Sequence, residues 1–130
     1  MSYLLDSDVL SSYLERDPPT IEILESLMLA GIAISIVTYM ETYQVTLQGP
    51  DTAASQHRHA VALANVPILP LSIAVAQRCA QLRHDLSFQG RRVRSRALDL
   101  IIASTALEHD LNLVTRNRSD YQDIPDLRLA

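Results

Sequence analysis

Four carboxylates stand beside residues that would otherwise be buried. Asp6 follows Tyr3-Leu4-Leu5, and Asp99 interrupts the apolar run Ala97-Leu98-Asp99-Leu100-Ile101-Ile102-Ala103. Glu41 sits in Thr38-Tyr39-Met40-Glu41, and Asp120 comes after Thr115 and Asn117. A carboxylate with apolar neighbours is costly to bury unless it is capped or coordinated. A hard cation such as Mg²⁺ takes oxygen ligands at about 2.0–2.1 Å, keeps several waters and uses one or two carboxylates. Each acid also has an ordinary explanation. Asp6 suits a helix N-cap, Asp99 a helix first turn, Glu41 a solvated helix face and Asp120 a turn. Their joint placement is what points to chemistry on a phosphodiester.

Further along, residues 90–96 place four arginines in six positions. Such a run is either a solvated loop or a phosphate anchor, since arginine contacts position a nucleic-acid backbone. Arg92, Arg94 and Arg96 are the candidates. The four histidines, His57, His59, His84 and His109, fall on helical patterns away from the acids and are expected to be structural or superficial. Cys79 lies in an apolar helical pattern and is expected in the core.

The elements that must carry these residues alternate between strand and helix. Short apolar or β-branched runs at residues 3–5, 32–36 and 111–115 read as strands, with a third weak strand at 67–70 in chain order and a possible edge strand at 127–129. Helical spacing predicts helices at about 7–15, 18–30, 38–48 and 52–65, a long one from 72 through at least 86, and another at about 98–109. Alternation of this kind implies a parallel sheet covered on both faces. In such a sheet, ligands gather outside the carboxyl ends of the strands. Asp6 and Thr115 close two strands, and Glu41 lies just beyond a third.

At 130 residues and 48 % hydrophobic the chain suits a single domain, 1–130, with one real core. No apolar run is long enough for a membrane span, and the first residues lack a basic n-region, so neither a membrane anchor nor a signal peptide is expected. A lone cysteine fits a cytoplasmic location. The net charge of −4 excludes a general nucleic-acid coat protein but not an enzyme that engages nucleic acid through a metal.

Four blocks in fixed order give the chain a family likeness. They are Tyr-Leu-Leu-Asp-Ser at 3–7, Ile-Ser-Ile-Val-Thr-Tyr-Met-Glu at 34–41, Leu-Asp-Leu-Ile-Ile-Ala-Ser-Thr-Ala at 98–106 and Leu-Val-Thr-Arg-Asn-Arg-Ser-Asp-Tyr at 113–121. Together they resemble the PIN domain, specifically the VapC-type toxins of bacterial toxin–antitoxin pairs. The resemblance implies a three-layer α/β/α sandwich with a mostly parallel sheet of four to five strands. It also implies an acid site of Asp6, Glu41, Asp99 and Asp120, supported by Ser7, Thr115 and Asn117. Asp6 and Asp99 are the expected direct metal ligands. Asp8 stands where relatives often carry Asn, Thr42 where Leu is usual and Tyr121 where Phe is usual.

The implied activity is endoribonucleolytic hydrolysis with Mg²⁺, for which Mn²⁺ is a possible substitute. The implied partners are an RNA substrate, a VapB-like antitoxin and a second copy in a homodimer. The segments 21–28 and 39–45 are candidate contact faces. Two alternatives remain open at this point: a catalytically silent PIN module, and a metal-dependent phosphatase, which Asp6-Ser7-Asp8 superficially resembles but whose lysine the chain lacks.

Overall fold

The computed structural model describes residues 2–130, so that Met1, the first residue of the expected 1–130 domain, lies outside the described residues. Four strands, β1 (Tyr3–Leu5), β2 (Ile32–Ser35), β3 (Ile68–Leu69) and β4 (Asn112–Val114), alternate with six helices. The helices are α1 (Ser7–Leu14), α2 (Pro18–Met28), α3 (Ile36–Thr46), α4 (Thr52–Leu63), α5 (Ile73–Phe88) and α6 (Ala97–Glu108). All strand pairs are parallel, in the order β3-β2-β1-β4. Among the described residues no helix is long and apolar enough to cross a membrane.

Side chains alternate across a strand, and this sorts the core into two layers. Leu4, Ala33 and Leu113 pack with Cys79, Leu82 and Leu86 of α5 and with Leu100, Ile102, Ala103 and Ala106 of α6. Their sequence neighbours Leu5, Ile34 and Val114 point the other way, onto Val9 and Leu10 of α1, Leu24 of α2 and Leu63 of α4. A one-residue slip in any strand would exchange the layers. Cys79 is buried in the first of them, as expected.

The chain order creates the functional edge. From β1 it moves outward to β2 and β3, then returns through α5 and α6 to place β4 on the opposite side of β1. The carboxyl ends of β1 and β4 therefore border a topological switch point, where open α/β sheets bind ligands. Register locks it: Leu5 pairs with Val114, and the Asp6 amide donates to the Val114 carbonyl at 2.9 Å.

Several boundaries differ from expectation. The second strand is one residue shorter, because Ile36 already begins α3: Ser35 ends the strand and caps the helix, its side chain accepting from the Thr38 amide. β3 keeps only two residues between its flanking prolines. The expected edge strand at 127–129 reduces to one bridge, Leu113 to Leu129, so the described sheet has four strands. Gly31, at φ +97°, makes the turn from α2 into β2, a conformation that suits glycine.

A buried ion pair fixes the segment after β4 to the start of α6. Arg96, in a single 3₁₀ turn (Arg94–Arg96), donates to both carboxylate oxygens of Asp123 at 2.6 and 2.7 Å. It also donates to the carbonyls of Arg92 and Asp120, at 2.7 and 3.0 Å. The Arg96 side chain is only 3 % exposed. Its hydrogen bonds hold the Asp123 carboxyl below the usual carboxylate range against some desolvation. The stability this pair contributes is therefore present above the unfolded aspartate pKa and lost as pH falls through the lower native value. Asp123→Ala is expected to cost about 3 kcal/mol at neutral pH by stranding a buried guanidinium, and to remove that part of the acid dependence. Urea denaturation across pH checks both.

Candidate active site

Asp6 is the N-cap of α1, and its Oδ1 accepts from the Ser7 amide at 2.8 Å. Its other oxygen accepts from the Thr115 hydroxyl at 2.7 Å, a bond that crosses the switch point from β4 to β1. Asp6 is 4 % exposed. Burial pushes its carboxyl up to about 6, with the charge of Asp8 adding and the bonds from Thr115, Ser7 and Tyr121 opposing. Thr115 is in turn set by the Asn117 amide, which donates to its hydroxyl oxygen at 3.0 Å. Asn117 thus acts through its backbone, while its side chain lies exposed.

Glu41 reaches the same rim from α3. The Ser7 hydroxyl donates to Glu41 Oε1 at 2.6 Å and lies 3.3 Å from the Thr38 hydroxyl. Asp99, in the first turn of α6, accepts from the Tyr121 hydroxyl at 3.2 Å. Burial raises the Asp99 carboxyl, the Tyr121 bond opposes this, and the charges of Asp120, Glu41 and Asp8 raise it further. These repulsions put five carboxylates in one electrostatic neighbourhood. The fifth, Asp8, accepts the Arg116 amide on Oδ2 at 3.1 Å. Its Oδ1 is buried without a hydrogen-bond partner.

That orphaned oxygen, with carboxyls lifted by burial and mutual repulsion, is the signature of a site short of positive charge. Among the described residues, no three acid, His or Cys side chains converge into a closed metal cluster. The donor set fits a hydrated Mg²⁺, which needs one or two carboxylates and fills its remaining positions with water. Asp6 and Asp99 are the candidates to hold it, and Glu41, Asp120 and Asp8 are the other acids of the rim.

The arginine run divides. Arg92 and Arg94 are exposed, and Arg92 donates to Asp120 Oδ1 at 3.1 Å. Arg96 does not meet the expectation of a phosphate anchor, because its guanidinium is buried and its donors are consumed by Asp123 and two carbonyls. Sequence reasoning missed Asp123 and the Arg116 tether. The Arg116 guanidinium bonds Asp17 at 3.0 Å and the Thr20 hydroxyl, tying the segment after β4 to the start of α2. The histidines stand apart from the acids; His59 is buried between Tyr39 and Tyr43 with its Nε2 at 2.9 Å from the Thr42 hydroxyl.

A family model described as PIN domain matches residues 3–126. The chain belongs to the PIN-domain family. A chain of VapBC2 from Rickettsia felis, bound to a DNA fragment from its promoter, has the same fold with a TM-score of 0.90. It is 25 % identical, and the match covers 100 % of this PIN domain and 98 % of that chain. A chain of VapBC-1 from nontypeable Haemophilus influenzae matches with a TM-score of 0.84 and 26 % identity, over 100 % and 97 % of the two chains. A toxin–antitoxin complex from Klebsiella pneumoniae gives 0.75 and 28 %, over 97 % and 95 %. A search of curated proteins finds no match. The VapC-type likeness of the four sequence blocks is thus met at the level of the whole PIN fold.

Thr115→Val is expected to leave Asp6 Oδ2 buried without its donor and to cost about 1–3 kcal/mol. Thr115→Ser should restore most of it. Denaturant unfolding of both variants measures the difference.

Proposed function

We propose that this PIN domain is the VapC-like toxin of a toxin–antitoxin pair and that it hydrolyses RNA phosphodiester bonds with Mg²⁺, or with Mn²⁺ in its place. One observation carries the proposal. Acids from β1, α3, α6 and the segment after β4 share a single rim, and hydroxyls from Ser7, Thr115 and Tyr121 orient three of them. A silent binding module has no need to pay for burying Asp6 as an acid and then bonding both its oxygens.

Bound Mg²⁺ would supply a water of lowered pKa and neutralise charge on the scissile phosphate. Asp6 and Asp99 would hold the cation. Thr115 and the Ser7 amide keep Asp6 from rotating, and the Ser7 hydroxyl does the same for Glu41. Glu41 and Asp120 would bind waters around the cation or a second ion. Arg92 and Arg94, exposed at the lip, would hold backbone phosphates of the RNA, with Arg92 exchanging its bond to Asp120 for one to phosphate. No histidine is required as a base.

A VapB-like antitoxin is the proposed partner, consistent with the toxin–antitoxin complexes that share this fold. Its seat is proposed on the helices beside the sheet. There a cavity of about 430 Å³ is lined by Tyr13, Leu14, Ile21, Val61 and the basic Arg16 and Arg58. A smaller one of about 130 Å³, which shares Leu14 and Arg58, reaches Val45 and Thr46. The candidate faces at 21–28 and 39–45 border these cavities, and Ile23 and Val45 are more than half exposed there. A homodimer and a cytoplasmic location complete the proposal.

The test is expression in a bacterial host together with cleavage of RNA by the purified chain. Asp6→Asn and Asp99→Asn are each expected to lower cleavage by roughly 10²–10³-fold, the several kcal/mol that cation stabilisation contributes, and to relieve growth inhibition. EDTA should abolish cleavage by the wild type. Continued toxicity of Asp6→Asn would sink nuclease action, and release of phosphate from a monoester would favour a phosphatase.

A further inference from the structure

Among the described residues Tyr121 is the largest fully buried side chain, at 1 % exposure. It packs in the core layer with Leu100, Ala103 and Leu113, yet its hydroxyl emerges among carboxylates. The hydroxyl donates to Asp99 Oδ1 at 3.2 Å. It is too deep to touch RNA. A phenylalanine would fill the same space in the core and supply no donor, so the hydroxyl is not there for packing.

The consequence lies in which carboxylate oxygen is left free. With Oδ1 taken by Tyr121, Asp99 Oδ2 has no hydrogen-bond partner among the described residues. Outer bonds of this kind set the orientation of a ligand and typically change metal affinity by about 10–100-fold. We propose that Tyr121 is a positioning residue of the acid site: its buried hydroxyl fixes the Asp99 carboxylate so that one oxygen is committed to the protein and the other to the cation. This rests on the Mg²⁺-dependent function proposed above.

The experiment is calorimetric titration of Mg²⁺ into EDTA-stripped wild type, Tyr121→Phe and Asp99→Asn, with thermal unfolding of each without Mg²⁺. The Phe variant is expected to keep its thermal midpoint and to bind Mg²⁺ about tenfold more weakly. The Mg²⁺ concentration for half-maximal RNA cleavage should shift by the same factor. At saturating Mg²⁺, cleavage should recover to within about threefold of the wild type, since only a binding interaction was removed. A merely structural tyrosine would lower the cleavage plateau through loss of folded protein and leave the Mg²⁺ midpoint in place. Equal Mg²⁺ affinity in wild type and Tyr121→Phe would overturn the positioning role while leaving the metal site standing. Absence of Mg²⁺ binding by the wild type would overturn the metal-dependent function itself, and the positioning role with it.

Discussion

Everything at this rim depends on keeping Asp6 as a carboxylate in a place with almost no water. Its carboxyl is raised from 3.8 to about 6 by burial. A shift of that size corresponds to roughly 3 kcal/mol against folding at neutral pH, absent below the ordinary aspartate range and complete above the raised value. Asp8 adds repulsion to it, and the charges of Asp120, Glu41 and Asp8 raise Asp99 on the same rim. A fold concerned only with stability would replace Asp6 with asparagine or serine, which cap helices as well. Retaining the acid makes sense if a cation recovers the cost.

The surrounding structure holds that repulsion in place. The Thr115 hydroxyl joins residues 109 apart in sequence across the β1–β4 junction. The amides and side chains that follow it are then tied outward, to Asp8 through the Arg116 amide and to the start of α2 through the Arg116 guanidinium. On the other side, Arg96 and Asp123 secure the entry to α6, and so the position of Asp99. Asp6, Asp8 and Asp99 are thereby presented by a strand end and helix first turns, and Glu41 from within α3, where backbone geometry is better determined than in a loop.

Much of this arrangement was legible in the sequence because it is written in local patterns. Leu4 and Leu5 followed by Asp6, and an acid inside the apolar run at 97–103, mark strand ends and helix starts by periodicity alone. The parallel sheet follows from strand–helix alternation. What local pattern does not carry is long-range pairing. Arg96 looks like its neighbours Arg92 and Arg94 until Asp123 is found beside it, because a buried and a solvated arginine have the same sequence context. The edge strand at 127–129 had the right composition, but it forms only one bridge beside Leu113. Tyr121 read as a conservative change from Phe, since nothing local reveals that its hydroxyl meets Asp99.

A cation shared by these acids would be read out by thermal unfolding with and without Mg²⁺. A ligand that binds only the native state stabilises it by RT ln(1 + [L]/Kd), about 2.7 kcal/mol at a hundredfold excess over Kd. The midpoint is expected to rise with Mg²⁺ in the wild type and to stay in place in the Asp6→Asn/Asp99→Asn double variant. The double variant, freed of two buried charges, is expected to melt higher than the metal-free wild type. A wild-type midpoint indifferent to Mg²⁺, or an equal rise in both proteins, would contradict the shared cation.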